Sequence, residues 1–323
     1  MNATPRHWDS LHIFIHDHSL QERFLCDVLA PLVAASSQAP RHSAWFFIRY
    51  WEGGPHLRLR IADADHEQST ALRTRIGAAL PAYCSATVLD KETFYRGNRF
   101  EGRDVEAADQ PWYDDLAVAA VPYVPELRRY GGDAALAENE RLFEVSSEIA
   151  VQLVRATRAA RPRRLALAAA MLAALAGAAR PAAGIAPFLR AYGDMWTAML
   201  GDGGERPPHE ATPYLAIAAG MTDQRAAESN RTPMAVWRKQ VADAAGAFGR
   251  MARAGRLISP RTGRPVEDEA GAASAIDSML MSQAPMLNNR LGIAIEEERA
   301  LAHGLAEAFA ARLSGASDNG TEA

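Results

Sequence analysis

Polar and apolar residues alternate in short segments near the start of the chain. In Leu11–Ile15 and His56–Ile61 every second residue is a leucine or isoleucine, a period of two that is typical of β-strands. Ala44–Tyr50 is rich in aromatic residues, which favour strands. The sequence Glu52-Gly53-Gly54-Pro55 is a turn signal, so we expect the strands on either side of it to pair as a hairpin-like unit.

Longer segments carry their apolar residues on one helical stripe. The pattern predicts helices over Glu22–Ala35 (disturbed at Pro31), Glu67–Leu80, a long segment capped by Asp133, Leu165–Ala179, Met234–Ala254, Ala270–Met281 and Ile295–Leu313. We expect a helix end near Pro285, because proline lacks the N–H that a helix needs. The next helix is then expected to begin at Asn288-Asn289-Arg290, with Asn289 as its cap.

The remaining segments are less regular. Thr87–Leu89 and Thr93–Tyr95 are predicted as short strands, residues 101–120 as a loop, and Gly201–Pro208 as a flexible loop. The pattern is that of an α+β protein, with an antiparallel or mixed sheet in the N-terminal third packed with a mostly helical remainder. We expect one domain over residues 1–313 and a disordered polar tail over residues 314–323.

Composition narrows the class of protein. The 323 residues are 48% hydrophobic and 23% charged, with a net charge of −4 and two cysteines. This balance favours neither nucleic-acid binding nor a disulfide framework. The chain starts with polar residues rather than a signal peptide, and its longest apolar run, Leu165–Ala179, is shorter than the ~20 residues that span a bilayer. We therefore expect a cytoplasmic protein without a membrane segment.

The first candidate for chemistry is the strand His56–Ile61. Alternation places His56, Arg58 and Arg60 on one face, with successive side chains about 7 Å apart. Two guanidinium groups at that spacing can bind carboxylates or peptide carbonyls through paired hydrogen bonds. The structural alternative is a solvated strand face with two exposed arginines.

Two further segments carry candidate groups. In Tyr123–Gly132, Glu126 and Arg129 are i,i+3 neighbours, which can form an ordinary surface ion pair or a pair that orients a substrate. In Ser282–Leu291, Arg290 follows an apolar run and can be buried and paired. Helix capping is the structural alternative for that second segment.

These segments occur in an order that resembles a known family. The segments are Trp45–Tyr50, Pro55–Arg60, Tyr123–Gly132, Phe143–Ser147 and Met286–Leu291. Together they resemble the C-terminal, glutamate-eliminating domain of class I lanthipeptide dehydratases, which also occurs alone in thiopeptide biosynthesis. The resemblance covers roughly residues 8–313. It implies the fold of that domain and a ribosomally made peptide as the substrate.

The resemblance also implies roles for individual residues. In the elimination branch of the family, the enzyme removes glutamate from a glutamylated Ser or Thr and leaves dehydroalanine or dehydrobutyrine. The glutamyl-binding arginines of that branch correspond to Arg58, Arg60 and Arg129, with Glu126 as the paired acid. Its proton-transferring His corresponds to Pro285, which cannot act as an acid or a base. The resemblance therefore favours a second branch, the thiopeptide pyridine synthases.

A pyridine synthase joins two dehydroalanines by a formal [4+2] aza-cycloaddition, and then eliminates water and the leader peptide to form a pyridine-centred macrocycle. One amide must become an iminol, and later steps need protons at leaving groups. The candidate acid–base groups are His56, Tyr95, Glu126, Tyr130 and Ser282. The groups expected to position carbonyls or stabilise oxyanions are Arg58, Arg60, Arg129 and Arg290.

The expected partners are a dehydrated, azole-bearing precursor peptide with its leader, and other enzymes of the pathway. We expect no cofactor or metal: the sequence has no P-loop, dinucleotide-binding glycine motif or Cys/His metal spacing. His12 and His16 share a strand face ~13 Å apart, too far to hold one ion. Two alternatives stay open: a split dehydratase subunit that eliminates glutamate, and a non-catalytic subunit that binds the precursor.

Overall fold

The structure, a computed structural model, describes residues 6–36, 44–96, 99–100, 103–200, 212–222 and 232–318. It divides into two compact units, one comprising residues 1–125 and 146–156 and the other residues 126–145 and 157–323. The prediction of an α+β fold is confirmed, because an antiparallel sheet lies in the N-terminal part and helices make up most of the rest. The single domain over residues 1–313 stays a prediction.

The first unit contains a four-stranded antiparallel sheet. Its strands β1 (Trp8–Phe14), β2 (Trp45–Tyr50), β3 (His56–Ala62) and β6 (Val118–Ala120) lie in the order β2-β3-β1-β6. The predicted pairing of β2 with β3 is confirmed, and it places Tyr50 opposite His56. Leu57 and Leu59 are fully buried, as expected for the apolar face of an alternating strand.

A helical segment with a wider turn in its middle follows β1. Helix α1 (His18–Phe24) continues through a π-helical turn at Leu25–Leu29 into α2 (Ala30–Ser36). Pro31 in α2 lacks an N–H, and its ring would clash with the carbonyl four residues earlier in a regular α-helix. The disturbance predicted at Pro31 is therefore confirmed, as a π turn immediately before it.

Two longer helical segments also belong to this unit. Helix α3 (His66–Ala79) starts from a capping box of Asp65 and Gln68. Helix α5 (Asp133–Ala156) contributes residues 146–156. From this part of α5, the Ser147 hydroxyl oxygen accepts a hydrogen bond from the Phe47 N–H of β2.

The two short strands predicted after α3 are wrong. Thr93–Tyr95 belongs to helix α4 (Lys91–Tyr95), because the Asp90 carboxylate accepts from the Thr93 N–H and caps a helical turn. Thr87–Leu89 has no regular secondary structure.

The loop predicted for residues 101–120 also contains strands. β5 (Arg103–Asp104) pairs with β4 (Arg99–Phe100), and β6 pairs with β1 at the edge of the sheet. These strands have only two or three residues each, which is too short to show a period in the sequence.

The second unit is mostly helical. In its described part the α-helices are residues 133–145 of α5, α6 (Arg161–Ala178), α7 (Ala182–Leu200), α8 (Leu215–Thr222), α9 (Pro233–Arg253), α10 (Glu269–Leu291) and α11 (Ile295–Asp318). The buried helix predicted for the longest apolar run is confirmed as α6, in which every residue of Ala168–Ala176 is buried. Among the described helices, none combines the length and the apolar character needed to cross a bilayer.

Helix α10 shows that the predictions around Pro285 are wrong. The helix passes through Pro285 and runs to Leu291, so it does not end near the proline and Asn289 does not cap a new helix. The burial of Ala284 and Leu287 on either side offsets the loss of one backbone hydrogen bond at the proline. The helix ends at Gly292, whose φ of +69° is the left-handed conformation that glycine adopts without strain.

Two other predicted boundaries also differ. Helix α5 starts at Asp133 itself, and the Gly132 carbonyl accepts from the Ala135 and Leu136 N–H groups, so Asp133 is the first helical residue rather than the cap. Helix α11 continues to Asp318. Residues 314–318 of the predicted disordered tail are therefore helical, since helical hydrogen bonding simply continues past Leu313. Residues 319–323 and the predicted loop Gly201–Pro208 lie outside the described residues.

Candidate functional site

The pairing of β1 with β3 brings a fourth residue to the predicted arginine strand. His12 lies opposite Arg58, and Phe14 lies opposite His56. Directly opposed residues of an antiparallel pair point to the same face. His12, His56, Arg58 and Arg60 therefore share one face of the sheet, which we call the histidine–arginine face.

His56 is held in one neutral form by two hydrogen bonds. Its Nδ1 donates to the Gly54 carbonyl at 2.8 Å, and its Nε2 accepts from the Arg58 Nε–H at 3.2 Å. The side chain is fully buried. Burial, together with the charges of Arg58 and Arg60, lowers the pKa of His56 to about 4. The lone pair that could take a proton is thus already engaged by Arg58.

Arg58 is the partly exposed cation of this face. Its guanidinium carbon lies 3.4 Å from the centre of the Tyr50 ring, and its NH2 group lies 3.6 Å from the Glu52 carboxylate. The Arg58 side chain is 23% exposed. With a ring beneath it and His56 at its Nε, the guanidinium is fixed in orientation while one edge stays accessible.

Arg60 is buried beside it. Its guanidinium donates to the Leu59 carbonyl at 3.0 Å and approaches His12 Nε2 at 3.4 Å. Within the described ranges it has no carboxylate at ion-pair distance, and its carbon lies 5.5 Å from the centre of the Tyr123 ring. Burial, with the charge of Arg58, lowers the pKa of Arg60 to about 10. It therefore stays cationic at neutral pH.

His12 stacks on His56 with 4.8 Å between ring centres. Burial and the neighbouring His56, Arg58 and Arg60 lower the pKa of His12 to about 2. Both histidines are thus neutral at neutral pH, and the two arginines carry the positive charge of the face. The alternation of Leu11–Ile15 already placed His12 on a defined strand face, but only the register with β3 places it against the arginines.

Tyr95 has a backbone-binding role in the same unit. Its hydroxyl accepts from the Gly53 N–H at 2.8 Å and lies 3.4 Å from the Pro111 carbonyl, to which it donates. The ring is buried, and burial raises the pKa of Tyr95. The Tyr95 hydroxyl was predicted as a candidate for proton transfer. In the structure it instead binds the backbone of the turn that precedes His56.

The backbone conformation and the close neighbours of Gly54 require glycine at this position of the turn. Its φ is +103°, and a Cβ at this position would lie 2.8 Å from His16 Nε2. Any side chain here would thus be strained and would displace His16. The Gly54 carbonyl is the acceptor for His56, so the turn sets the tautomer of the histidine.

A second group of predicted residues lies in the other unit. Tyr130 packs edge-on against Phe143, with 5.1 Å between ring centres, and the Arg290 guanidinium carbon lies 5.3 Å from the centre of Phe143. We call these three residues the Tyr130–Arg290 cluster. Burial raises the pKa of Tyr130 to about 12 and lowers that of Arg290 to about 9.

Glu126 and Arg129 lie next to Tyr130 in sequence. Their predicted i,i+3 ion pair is confirmed, at 3.3 Å between Arg129 NH1 and Glu126 Oε2. The Glu126 side chain is 59% exposed and that of Arg129 is 39% exposed. The Arg129 guanidinium carbon lies 5.6 Å from the centre of the Tyr130 ring. An exposed pair of this kind adds little stability but leaves both charges accessible.

Ser282 and Pro285 lie on helix α10. The Ser282 hydroxyl donates to the Ser278 carbonyl of its own helix at 3.1 Å. Pro285 is buried inside the helix. In the described part of the chain, no group of three or more His, Cys, Asp or Glu side chains has the arrangement to hold a metal ion.

Comparison with known proteins identifies related folds. The sequence profile described as "Lantibiotic biosynthesis dehydratase C-term" matches residues 8–309. No curated protein matches the chain in sequence. TsrL, known from its crystal structure, is 20% identical with a TM-score of 0.65, over 94% of this chain and 95% of TsrL.

Two further structures share the fold. The pyridine synthase TbtD, from thiomuracin biosynthesis, is 18% identical with a TM-score of 0.68, over 95% of this chain and 98% of TbtD. The tRNA-dependent lantibiotic dehydratase MibB from Microbispora sp. 107891 is 22% identical with a TM-score of 0.60. That match covers 97% of this chain and 29% of MibB. At these identities the similarity shows the fold alone.

Proposed function

Because the chain belongs to the family of lantibiotic biosynthesis dehydratase C-terminal domains, we propose that it is an enzyme that modifies a ribosomally made peptide. More specifically, we propose a pyridine synthase. It would join two dehydroalanines of an azole-bearing precursor by formal [4+2] aza-cycloaddition. Loss of water and of the leader peptide would then give the pyridine-centred macrocycle.

The observation that carries the specific proposal is Pro285. Its position corresponds to the proton-transferring His of the elimination branch, and the residue is a buried proline inside α10. A proline side chain cannot give or take a proton. Glutamate elimination would therefore lack the group that the resemblance assigns to it, whereas the cycloaddition does not require that group.

We assign peptide contact in the first unit to Arg58. It is partly exposed, while His56 and Arg60 are buried. Tyr50 and His56 fix its orientation before any substrate binds, which reduces the entropy lost on binding. A fixed guanidinium stabilises negative charge that develops on oxygen, so we propose that Arg58 binds the amide oxygen that becomes the iminol.

The other residues of the histidine–arginine face support Arg58. Arg60 adds a second positive charge that favours electron-rich oxygens nearby. His56 accepts the Arg58 Nε–H while its own Nδ1–H is held by Gly54. We therefore propose that His56 positions Arg58 rather than transferring a proton.

For proton transfer in the second unit we propose Glu126, because its carboxylate is exposed and can reach a bound peptide. Arg129 holds that carboxylate. Tyr130 and Arg290 are buried, so we propose that they position the Glu126–Arg129 segment. Tyr95 and Ser282 are weaker proposals, since their hydroxyl groups already bind backbone atoms.

The test is incubation of the purified protein with a precursor peptide that carries azoles, two dehydroalanines and its leader. We expect mass spectrometry to show loss of water and release of the leader, and absorption spectroscopy to show a new pyridine. Recovery of unchanged precursor, under conditions in which the precursor binds to the protein, would contradict the proposal.

A split dehydratase subunit is the second candidate. The observation that favours it is that Arg58, Arg60 and the Glu126–Arg129 pair are all present, since the resemblance assigns these residues to the glutamyl group. A peptide with glutamylated serine separates the two candidates. Release of glutamate with formation of dehydroalanine would support elimination, and an unchanged ester would exclude it.

A further inference from the structure

The loop after α9 folds into a tight hairpin over residues 257–266. The Val266 N–H donates to the Leu257 carbonyl at 2.9 Å, and the Ser259 N–H donates to the Arg264 carbonyl at 2.8 Å. The Ile258 N–H donates to the Gly131 carbonyl at 3.0 Å. Ile258 also packs so closely on Gly132 that a Cβ there would lie 2.6 Å from Ile258 Cγ1. The base of the hairpin is therefore fixed.

Arg128 fixes the tip of the same hairpin. Its guanidinium donates to the Pro260 carbonyl at 3.1 Å and to the Arg261 carbonyl at 2.8 Å. Gly263, at the tip beside the Arg128 side chain, has a φ of +71°, the left-handed conformation that favours glycine. The hairpin backbone is thus held at its base by Gly131 and Gly132 and at its tip by Arg128.

Five exposed arginines lie on the end of α9, on the turn that follows it and on this hairpin. Residues 244–266 contain no Asp or Glu, although the chain as a whole has a net charge of −4. Within the described part of the chain, none of the five forms an ion pair. We call them the arginine surface, and they are Arg250, Arg253, Arg256, Arg261 and Arg264.

Three acidic residues follow the arginine surface, against its five arginines. Glu267, Asp268 and Glu269 come directly after it. Asp268 accepts from the Gly271 N–H and caps α10, and Glu269 lies in the first turn of that helix, where negative charge suits the helix dipole. The arginine surface is consequently a local excess of positive charge on an acidic protein.

We propose that the arginine surface binds an acidic segment of a peptide. Guanidinium groups bind carboxylates through paired, charge-assisted hydrogen bonds, and a rigid hairpin loses little entropy when it binds. In this proposal, which rests on the proposed function for the source of the peptide, the acidic segment is part of the precursor outside its reacting residues.

A peptide fits this surface better than a nucleic acid does. The sole aromatic residue of residues 244–266, Phe248, is buried, so no ring is presented for stacking on bases. Leu127, beside Arg128, is 38% exposed and offers an apolar contact for a peptide side chain. The negative net charge of the chain also opposes the approach of a long polyanion.

The test measures binding by fluorescence anisotropy with the full chain. The probes are a labelled peptide of alternating glutamate and glycine, the same peptide with glutamine in place of glutamate, and a short single-stranded RNA. We expect the acidic peptide to bind best and its affinity to fall as salt is raised. Absence of binding at low salt, or tighter binding of the RNA, would overturn the proposal.

A matched pair of double variants localises the binding. Arg261→Glu with Arg264→Glu should weaken binding of the acidic peptide about tenfold or more. Arg73→Glu with Arg75→Glu, two exposed arginines of α3, changes the net charge equally and should alter affinity less than about twofold. Equal losses in both would show general charge attraction and refute a site. Circular dichroism confirms that each variant is folded.

A third variant tests the fixed shape of the hairpin. Arg128→Ala removes the two hydrogen bonds to the tip without reversing a charge of the arginine surface, and we expect a loss of affinity of about threefold. Unchanged affinity would contradict the role of the fixed shape. None of these measurements needs turnover, so their failure leaves the cyclisation assay unaffected, and failure of that assay does not alter the binding result.

Discussion

The two groups of predicted site residues accommodate their buried arginines differently. On the histidine–arginine face, Arg60 lies beside neutral His12 and next to a second cation, Arg58, which is partly exposed. In the Tyr130–Arg290 cluster, the arginine lies over an aromatic ring, and both named residues are buried. The first arrangement keeps positive charge accessible to a substrate, whereas the second buries it within packed helices. We therefore expect substitution of Arg58 to affect activity directly, and substitutions in the Tyr130–Arg290 cluster to affect stability first and activity only through the Glu126–Arg129 segment.

The largest effect is expected at Arg58. Replacing it with Met should lower kcat/KM about 10²–10³-fold, because a fixed cation at a developing oxyanion contributes several kcal/mol to transition-state stabilisation. Thermal unfolding should change little, since the side chain is partly exposed. Arg58→Lys should restore only part of the activity, because an ammonium cannot reproduce the planar contact with Tyr50. Full activity in the Met variant would remove the difference between the two regions.

The second largest effect is expected on the free energy of unfolding, at Gly132, two residues after Tyr130. Gly132 has a φ of +85°, and a Cβ there would meet Ile258. Gly132→Ala should therefore lower the free energy of unfolding by about 3 kcal/mol, from backbone strain and overpacking together. Gly255→Ala is the matched control, because its φ is +65° and no atom lies within 4 Å of the added Cβ. Equal losses in urea denaturation of the two variants would show that contact with Ile258 contributes nothing.

Acid should lower the stability of the protein, in part through the histidines of the histidine–arginine face. The pKa of His56 is about 4 and that of His12 about 2 in the folded protein, against about 6.5 in an unfolded chain. Below pH 6.5 the unfolded state therefore binds more protons, so stability falls as pH drops below about 6.5, by about 2 kcal/mol for each histidine, or about 4 kcal/mol for the pair, between pH 7 and pH 5.

The control for this prediction is a variant with fewer titrating groups. His12→Gln should reduce the change in unfolding free energy between pH 7 and pH 5 by about 2 kcal/mol, because glutamine does not bind a proton in this range while His56 still does. An unchanged slope in denaturant titrations of the variant would show that His12 does not contribute to the acid sensitivity.

The smallest effect is expected at Ser282. Its hydroxyl binds the Ser278 carbonyl of its own helix, so Ser282→Ala should change the free energy of unfolding by less than about 0.5 kcal/mol and leave turnover within about twofold. A loss of turnover comparable to that of Arg58→Met would place the Ser282 hydroxyl itself in the catalytic machinery and would contradict this prediction.

Much of the local structure follows from the sequence alone. The alternation of His56–Ile61 predicted a strand with His56, Arg58 and Arg60 on one face, because a strand repeats every two residues whatever its neighbours are. The apolar run of α6 likewise predicted a buried helix. In both cases the information lies within a few adjacent residues, and the order of the short motifs along the chain was enough to indicate the family.

The tertiary structure decided what those residues contact. His12 reaches the arginines through the register of β1 with β3, and Tyr95 reaches the Gly53 turn from a helix far along the chain. Pro285 stays inside a helix because its surroundings bury it, although proline by itself predicts a break. Gly132 is required because Ile258, more than a hundred residues later, packs against it, and Gly131 is required because Met279 and Leu257 approach it in the same way. Such contacts depend on which distant segments meet, and that is set by the packing of the whole unit rather than by local preference.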